Sequence, residues 1–329
     1  MKRNMKVGEE YQYSERFIEA VKRALPEEVP IAAYLIENLP IQREAVYRRL
    51  RGEILFNFSE VAVIAQKLNI SIDNIINVWN IDKVSFDTNL IDHVSPANNY
   101  TGLLENHLNL LERLNFLDKV SFKAAFNTIP YSFFLSYESI AKFQLYKYSF
   151  NVCNEHMKPY SDFKVSREIK TIQEKCRHTM TQLDSFEYIL DKRLFMYLAE
   201  DIAQFHEMKL LTDAEKRKLK DEVLLMLSDI EEVSMTGLSK ATKKPTSIFI
   251  SNIHFDTSYI LYQSESYEVA HFRLFTITGI RSDNSKICEK QKNWLESLKK
   301  NSTKITLSNA IFRNNFFKIQ RTFIEKALK

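Results

Sequence analysis

Residues 31–54 read IAAYLIENLPIQREAVYRRLRGEI, and residues 58–75 read FSEVAVIAQKLNISIDNI. In the first stretch, apolar residues recur at helical spacing and a Pro-Ile pair interrupts them, which predicts two short helices with a tight turn between them. These helices are Ile31–Leu39 and Gln42–Arg51. Gly52 follows the second helix directly, and glycine is the residue that most readily ends a helix in the left-handed conformation. The stretch therefore predicts a compact pair of helices.

Three further helices surround this pair within residues 1–80. Ser14 is a candidate N-cap for a helix that precedes the pair, because apolar residues follow it on one helical face. Ser59 is the corresponding cap for a fourth helix that ends at Leu68, and Ser71 for a fifth over Ile72–Trp79. The first 80 residues are therefore predicted to form a five-helix domain.

This pattern resembles the helix-turn-helix of the Cro/C1 type, the λ-repressor-like or XRE regulators. In that family a positioning helix, a tight turn and a recognition helix are followed by a basic or polar residue and a glycine, which here are Arg51 and Gly52. A helix with an apolar pattern then leads into the ending Ile70-Ser71-Ile72-Asp73. The resemblance covers about 65 residues, and it implies a double-stranded DNA partner with base contacts near the start of the recognition helix.

Helical spacing independently separates the two sides of the second helix. Ala45, Val46 and Leu50 face inward, since positions four apart lie on one face. The residues turned outward are Gln42, Arg43, Glu44, Tyr47, Arg48 and Arg51. Arginine can pair with guanine through two hydrogen bonds and glutamine with adenine, so this face suits the major groove. By the resemblance, the first five match base-contacting positions and Arg51 matches a phosphate-contacting position.

Three positions depart from the family pattern. Ala32 replaces a glutamine that often contacts phosphate, and Pro40 replaces the turn glycine. Proline cannot adopt a positive φ, so the turn is expected to differ in detail. Glu44 would repel phosphate unless it accepts a hydrogen bond from a cytosine amino group.

The rest of the chain is predicted to be helical first and α+β afterwards. Residues 81–100 are mixed and polar and indicate a linker, and 101–245 a helical region for dimerisation or sensing, with a capping box opened by Thr212. From residue 246 the sequence becomes rich in isoleucine, phenylalanine, tyrosine and valine. The predicted elements there are strands at 247–254, 258–263 and 268–277, a helix at 284–300, a short strand at 304–307 and a helix at 308–328. The predicted fold is mainly α, with a small antiparallel sheet and flanking helices at the end.

Composition excludes several classes of site. The chain of 329 residues has five glycines, and the closest two, Gly237 and Gly279, are 42 positions apart. Dinucleotide-binding turns, Walker A loops and nucleophile elbows need glycines within a few residues of each other, so all three are excluded. Net charge is zero over 1–80, −5 over 81–239 and +9 over 240–329, which favours separate functional surfaces.

The three cysteines indicate neither a disulfide framework nor a zinc ribbon. Cys153 and His156, with Cys176 and His178, could supply four zinc ligands, but residues two apart on a helix point in different directions. A core cysteine beside a surface histidine is the preferred interpretation of the second pair. We therefore expect no metal, no cofactor and no catalytic residues.

Together these features predict a cytoplasmic, sequence-specific transcription regulator that is not an enzyme and has no membrane partner. A homodimer would place two recognition helices about one DNA turn apart, and the large C-terminal region would respond to a small-molecule or protein effector. Two alternatives remain open: an enzyme or small-molecule-binding protein whose site lies in the C-terminal half, and a protein-interaction scaffold.

Overall fold

The computed structural model describes residues 3–26, 29–68, 70–76, 86–88, 96–152, 158–240, 242–275 and 278–329. The fold is mixed, with many helices and one eight-stranded sheet, which agrees with the predicted combination of α and β structure. The chain divides into two compact units, Met1–Ser85 and Phe86–Lys329.

The described part of the first unit is helical. Its elements are α1 (Arg3–Ala24), α2 (Ile31–Asn38), α3 (Arg43–Leu50), α4 (Phe58–Leu68) and α5 (Ile72–Ile76). The predicted start of the first helix at Ser14 is wrong, because α1 runs through this residue without a break. The mixed polar and apolar residues before Ser14 contain no proline that would stop a helix.

The helices of the second unit are α6 (Pro96–Leu114), α7 (Tyr131–Phe134), α8 (Glu138–Val152), α9 (Arg167–Met180), α10 (Leu194–Glu207), α11 (Asp213–Thr236), α12 (Ser285–Lys300) and α13 (Ala310–Ala327). The predicted capping box at the start of α11 is confirmed. The Glu215 N–H donates to Thr212 Oγ1 over 3.3 Å, and the Thr212 N–H donates to Glu215 Oε2 over 2.8 Å. These bonds satisfy donors that the first turn of a helix would otherwise leave unpaired.

The sheet is larger than predicted and is mixed. Its strands are β1 (Asp87–Thr88), β2 (Ser121–Phe126), β3 (Ser185–Asp191), β4 (Thr246–Ser251), β5 (Tyr259–Gln263), β6 (Glu268–Phe275), β7 (Thr278–Ser282) and β8 (Ser302–Lys304). They lie in the order β1-β7-β6-β5-β2-β3-β4-β8. The strands β2, β3 and β4 run parallel, and the remaining neighbours are antiparallel.

The prediction of a helical region over residues 101–245 is incomplete, because β2 and β3 lie inside this range. Both strands are central and are covered on both faces. Polar and apolar residues alternate only over the first four residues of each strand, and both faces are buried after that, so little remains of the alternation that reveals a strand in sequence. The expected small antiparallel sheet is therefore wrong in its pairing, because β2 and β3 lie between β4 and β5, and β4 runs parallel to β3.

The predicted linker over residues 81–100 also contains regular structure. The short strand β1 pairs with β7, and α6 already begins at Pro96. Proline is well suited to the first turn of a helix, so the residue that suggested a connection instead opens a helix. Residues 81–85 and 89–95 of the predicted linker lie outside the described residues.

Helices cover both faces of the sheet. On one face, α12 packs on strand residues that include Ala125, Ile189 and Leu261. On the other face, α6 to α11 and α13 contribute to a larger core around Phe122, Leu190 and other buried strand residues. None of the described helices is long and apolar enough to cross a membrane.

Candidate nucleic-acid interface

Four residues, 39–42, connect α2 to α3, and the first three of them form a tight turn. The Ile41 N–H donates to the Leu39 carbonyl oxygen over 2.8 Å, which centres the turn on Pro40. The fixed negative φ of proline is compatible with such a turn in its common, inverse form. The turn therefore needs no residue with a positive φ, so Pro40 is compatible with it.

The inner side of α3 packs into the core of the first unit. Val46 is fully buried, and Leu50 and Ile41 are partly buried against the same cluster, which includes Leu35 and Ile64. The predicted inward side of the helix is thus the side that contacts the other helices. Ala45, also predicted to face inward, is half-buried.

The helix is slightly shorter than the predicted Gln42–Arg51, because these two residues are its caps. Gln42 is extended, and its carbonyl oxygen accepts hydrogen bonds from the N–H groups of Ala45 and Val46. Its side chain makes no capping bond, so it is available for other contacts. Gly52 follows Arg51 with a φ of +74°, as predicted for the residue that ends this helix.

A buried ion pair fixes α3 against α4. Arg49 donates two hydrogen bonds of 2.7 Å to the carboxylate of Glu60, and the two side chains are 12% and 6% exposed. Glu60 also accepts from the Asn57 N–H over 3.1 Å, while the Asn57 side chain accepts from the Glu60 N–H over 2.9 Å. Asn57, and not the predicted Ser59, therefore caps α4.

Sequence reasoning missed the role of Arg49, because four arginines within residues 41–53 look alike without a structure. The available signal was the spacing of Asn57 and Glu60, which is the spacing of a capping box. A glutamate in a capping box faces the preceding chain, and here that chain includes α3. The pair sets the orientation of α3 with a planar, two-bond contact.

The outer side of α3 carries the predicted set of polar residues. Gln42, Arg43, Glu44, Arg48 and Arg51 are exposed, and Tyr47 is half-buried. The Arg43 guanidinium lies 5.7 Å from the centre of the Tyr47 ring, within the range of a cation–π contact. All six predicted residues thus lie on one helix and its two caps.

Carboxylates compensate part of the positive charge on this face. Glu53 lies 2.6 Å from Arg51 and 3.4 Å from Arg48, and Glu44 lies 3.5 Å from Arg51. The hydrogen bond from Arg51 lowers the pKa of Glu53, and the same bond raises the pKa of Arg51. Arg43 has no carboxylate partner among the described residues.

The other sequence signals do not assemble into a metal site among the described residues. Cys176 is buried and its thiol donates to the Leu104 carbonyl oxygen, while His178 on the same helix is exposed. Cys153 and His156 lie outside the described residues. The preferred interpretation of Cys176 and His178 therefore agrees with the structure.

An Asp-His pair lies at the carboxyl end of the parallel strands in the second unit. Asp191 is 3% exposed and lies 2.9 Å from His254 Nδ1, while His254 Nε2 lies 3.8 Å from Asp256. A buried carboxylate fixes the ring orientation of an imidazole in this way. An enzyme could use an imidazole oriented in this way as a general acid or base, so this pair bears on the alternative of an enzyme.

Neither a protein-family model, nor a curated protein, nor a solved structure matches this chain.

Proposed function

We propose that the chain is a sequence-specific DNA-binding transcription regulator of the helix-turn-helix type, with α3 and its caps in the major groove. The observation that supports this most is the exposed polar side of α3 on a helix whose inner side is held by Val46 and by the Arg49–Glu60 pair. A rigid helix that presents arginine and glutamine side chains is what recognition of base edges requires.

The proposed roles follow position along the helix, and Glu44, near its start, accepts a hydrogen bond from a cytosine amino group. Gln42 and Arg43, at the start of the helix, contact base edges, with adenine and guanine as the chemically preferred partners. Arg48 and Tyr47 lie one turn further along and contact bases or the adjacent backbone. Arg51, at the C-cap, faces phosphate in competition with Glu53 and Glu44, which hold its guanidinium group in the free protein.

Two copies of the chain are proposed to bind a pair of half-sites about one DNA turn apart. The second unit, Phe86–Lys329, would supply the dimer contact and the response to an effector. The proposed regulator acts in the cytoplasm.

Recovery of bound fragments from genomic DNA tests the proposal. The wild-type chain should enrich a discrete sequence motif, and Arg43→Ala/Arg48→Ala should lose it, because a bidentate arginine–guanine contact contributes about 1–3 kcal/mol of discrimination. The matched control is Lys22→Ala/Arg23→Ala, which removes the same charge from exposed residues near the end of α1.

This control should retain the motif, and thermal melting should show that both double variants are folded. Recovery without a motif from all three proteins would refute sequence-specific binding and would favour the protein-interaction alternative. An inverted repeat in the motif would support the dimer.

A further inference from the structure

A cavity of about 250 Å³ lies within the second unit. Residues of α7, α9 and α11, the first residues of β3 and β4, and the loop after α11 surround it. Its volume is somewhat below the range of about 300–1,000 Å³ that is usual for drug-sized ligands. A small organic molecule is therefore the class of ligand that fits.

Five aromatic side chains line the cavity, and methionine and aliphatic side chains complete its apolar walls. The aromatic residues are Tyr131, Phe133, Tyr137, Phe186 and Tyr188. The ring of Tyr188 lies 4.8 Å from that of Phe133 and is nearly parallel to that of Phe186. The Tyr188 hydroxyl donates to Ser132 Oγ over 3.2 Å, which holds the central ring in place.

The cavity contains one carboxylate, that of Asp229, among its lining residues. The Tyr137 hydroxyl donates to Asp229 Oδ2 over 2.5 Å, and Lys240 Nζ donates to Asp229 Oδ1 over 2.6 Å. Burial, together with the hydrogen bond to this carboxylate, raises the pKa of Tyr137, so its hydroxyl remains protonated. Asp229 is therefore held in position by a residue of the aromatic wall.

Lys240 already occupies the position of a cation on this carboxylate. Its side chain is 53% exposed, whereas that of Asp229 is 23% exposed, and Glu232 lies 3.7 Å from the same ammonium. Two carboxylates therefore share one exposed lysine, and such exposed ion pairs contribute little to stability. The third charged lining residue, Arg177, is paired with Glu174.

We infer that this cavity binds a small organic ammonium ion, with the cationic nitrogen on Asp229 in place of Lys240 and the apolar body between the aromatic walls. Aromatic faces attract cations, and carboxylates pair with them, so both parts of the lining select the same ligand. Exchange with Lys240 is easy because that side chain can return to water. The inference concerns the second unit alone and does not depend on the proposed DNA binding.

Calorimetric titration of the full chain with three phenyl compounds tests the selectivity. Phenethylamine carries an ammonium group, phenethyl alcohol is a neutral analogue of similar size, and 3-phenylpropionate is an anion. Phenethylamine should bind most tightly. The variant Asp229→Asn should weaken phenethylamine by about tenfold or more and leave phenethyl alcohol within about twofold, because a charged hydrogen bond is lost only for the amine.

The variant Lys240→Ala separates binding from a structural role of the ion pair. It removes the competing cation and should raise the affinity for phenethylamine severalfold, whereas loss of a merely structural pair would lower it or leave it unchanged. Lys244→Ala is the control, because Lys244 is paired with Asp184 and neither residue lines the cavity. Tighter binding of 3-phenylpropionate, or equal binding of the amine and the alcohol, would overturn the inference.

Discussion

Removal of the negative charge of Glu53 should increase the salt dependence of DNA binding. Glu53 contacts Arg48 and Arg51 on the outer side of α3, and a phosphate group must compete with it for both guanidinium groups. In Glu53→Gln, Arg48 has no carboxylate partner left among the described residues, and Arg51 keeps only the longer contact with Glu44, at 3.5 Å. Arg48 then becomes available for a phosphate contact, and Arg51 becomes available in competition with Glu44 alone.

The size of the effect follows from the number of ion pairs that are broken. Each additional phosphate contact steepens the slope of log K against log salt by about 0.9 for duplex DNA. Glu53→Gln frees up to two arginines and should therefore steepen the slope by up to about 1.8. Glu44 contacts Arg51 alone, at 3.5 Å, so Glu44→Gln should add at most about 0.9.

Fluorescence anisotropy with a labelled duplex of random sequence measures these slopes over a series of salt concentrations. No operator is needed, because phosphate contacts act on any duplex. The slope should be steepest for Glu53→Gln, intermediate for Glu44→Gln and shallowest for the wild type. Slopes that are equal in all three folded proteins would refute the idea that Glu53 withholds arginines from phosphate.

A second readout concerns specificity. Phosphate contacts carry no sequence information, so the added affinity should be the same for every duplex. We expect the ratio of specific to non-specific binding to fall in Glu53→Gln because the freed Arg48 exchanges a base contact for a phosphate contact, and an unchanged ratio would show that Arg48 only adds a phosphate contact. An increase in this ratio would show that Glu53 does not position Arg48 for base recognition.

Three further predictions concern stability. Burial lowers the pKa of His107 to about 3 and that of His271 to about 4, while an unfolded histidine has a pKa near 6.5. The contribution of these two neutral histidines to stability is therefore complete above about pH 6.5 and is lost as the pH falls. At about pH 5 the summed loss for the two residues is about 4 kcal/mol. Urea unfolding across pH measures this loss, and a double variant to glutamine that keeps the full dependence would contradict the assignment. Gly279→Ala should destabilise the second unit by about 1–3 kcal/mol, since a Cβ atom there would lie 2.7 Å from a carbonyl oxygen of β6. Gly102→Ala, the control in α6, has nothing within 4 Å and should stabilise by about 0.5–1 kcal/mol, so calorimetric shifts of the same sign in both would be evidence against the packing argument. Glu60→Gln breaks the buried ion pair between Glu60 of α4 and Arg49 of α3 and should cost the first unit about 3–5 kcal/mol in chemical unfolding, whereas a cost below about 1 kcal/mol would mean that the pair does not hold α3.

The elements that sequence patterns predicted best are those with local signals. The helices α2 and α3, the glycine that ends α3 and the capping box of α11 each depend on residues within a few positions. The strands β4, β5 and β6 were expected near their observed positions for the same reason, because turn residues separate runs rich in β-branched and aromatic residues.

The features that could not be predicted depend on distant contacts. The strands β2 and β3 pair with each other across a long stretch of chain, and burial on both faces limits their alternating pattern to the first four residues of each. The strand β1 has two residues, and only its pairing with β7 identifies it as a strand. No local sequence pattern predicts these strand pairings.

In the candidate interface, too, local features could be predicted and contacts between distant residues could not. Helical spacing was sufficient to list the six outward residues from Gln42 to Arg51. It could not show that Glu53 binds two of the arginines, or that Arg49 turns toward Glu60, because both arrangements depend on how the chain folds back after Gly52.

The parallel arrangement of β2, β3 and β4 has a consequence for the order of folding. The segments between these strands are 58 and 54 residues long (127–184 and 192–245), and β4 pairs in addition with β8 near residue 303. Contacts between residues so far apart form slowly, while a small helical unit made of local contacts folds fast. During synthesis the first unit should therefore reach its final form while the ribosome is still adding the strands of the second. Until β8 arrives, one side of β4 has unpaired backbone groups, so the nascent chain passes through a stage at which chaperone protection matters most.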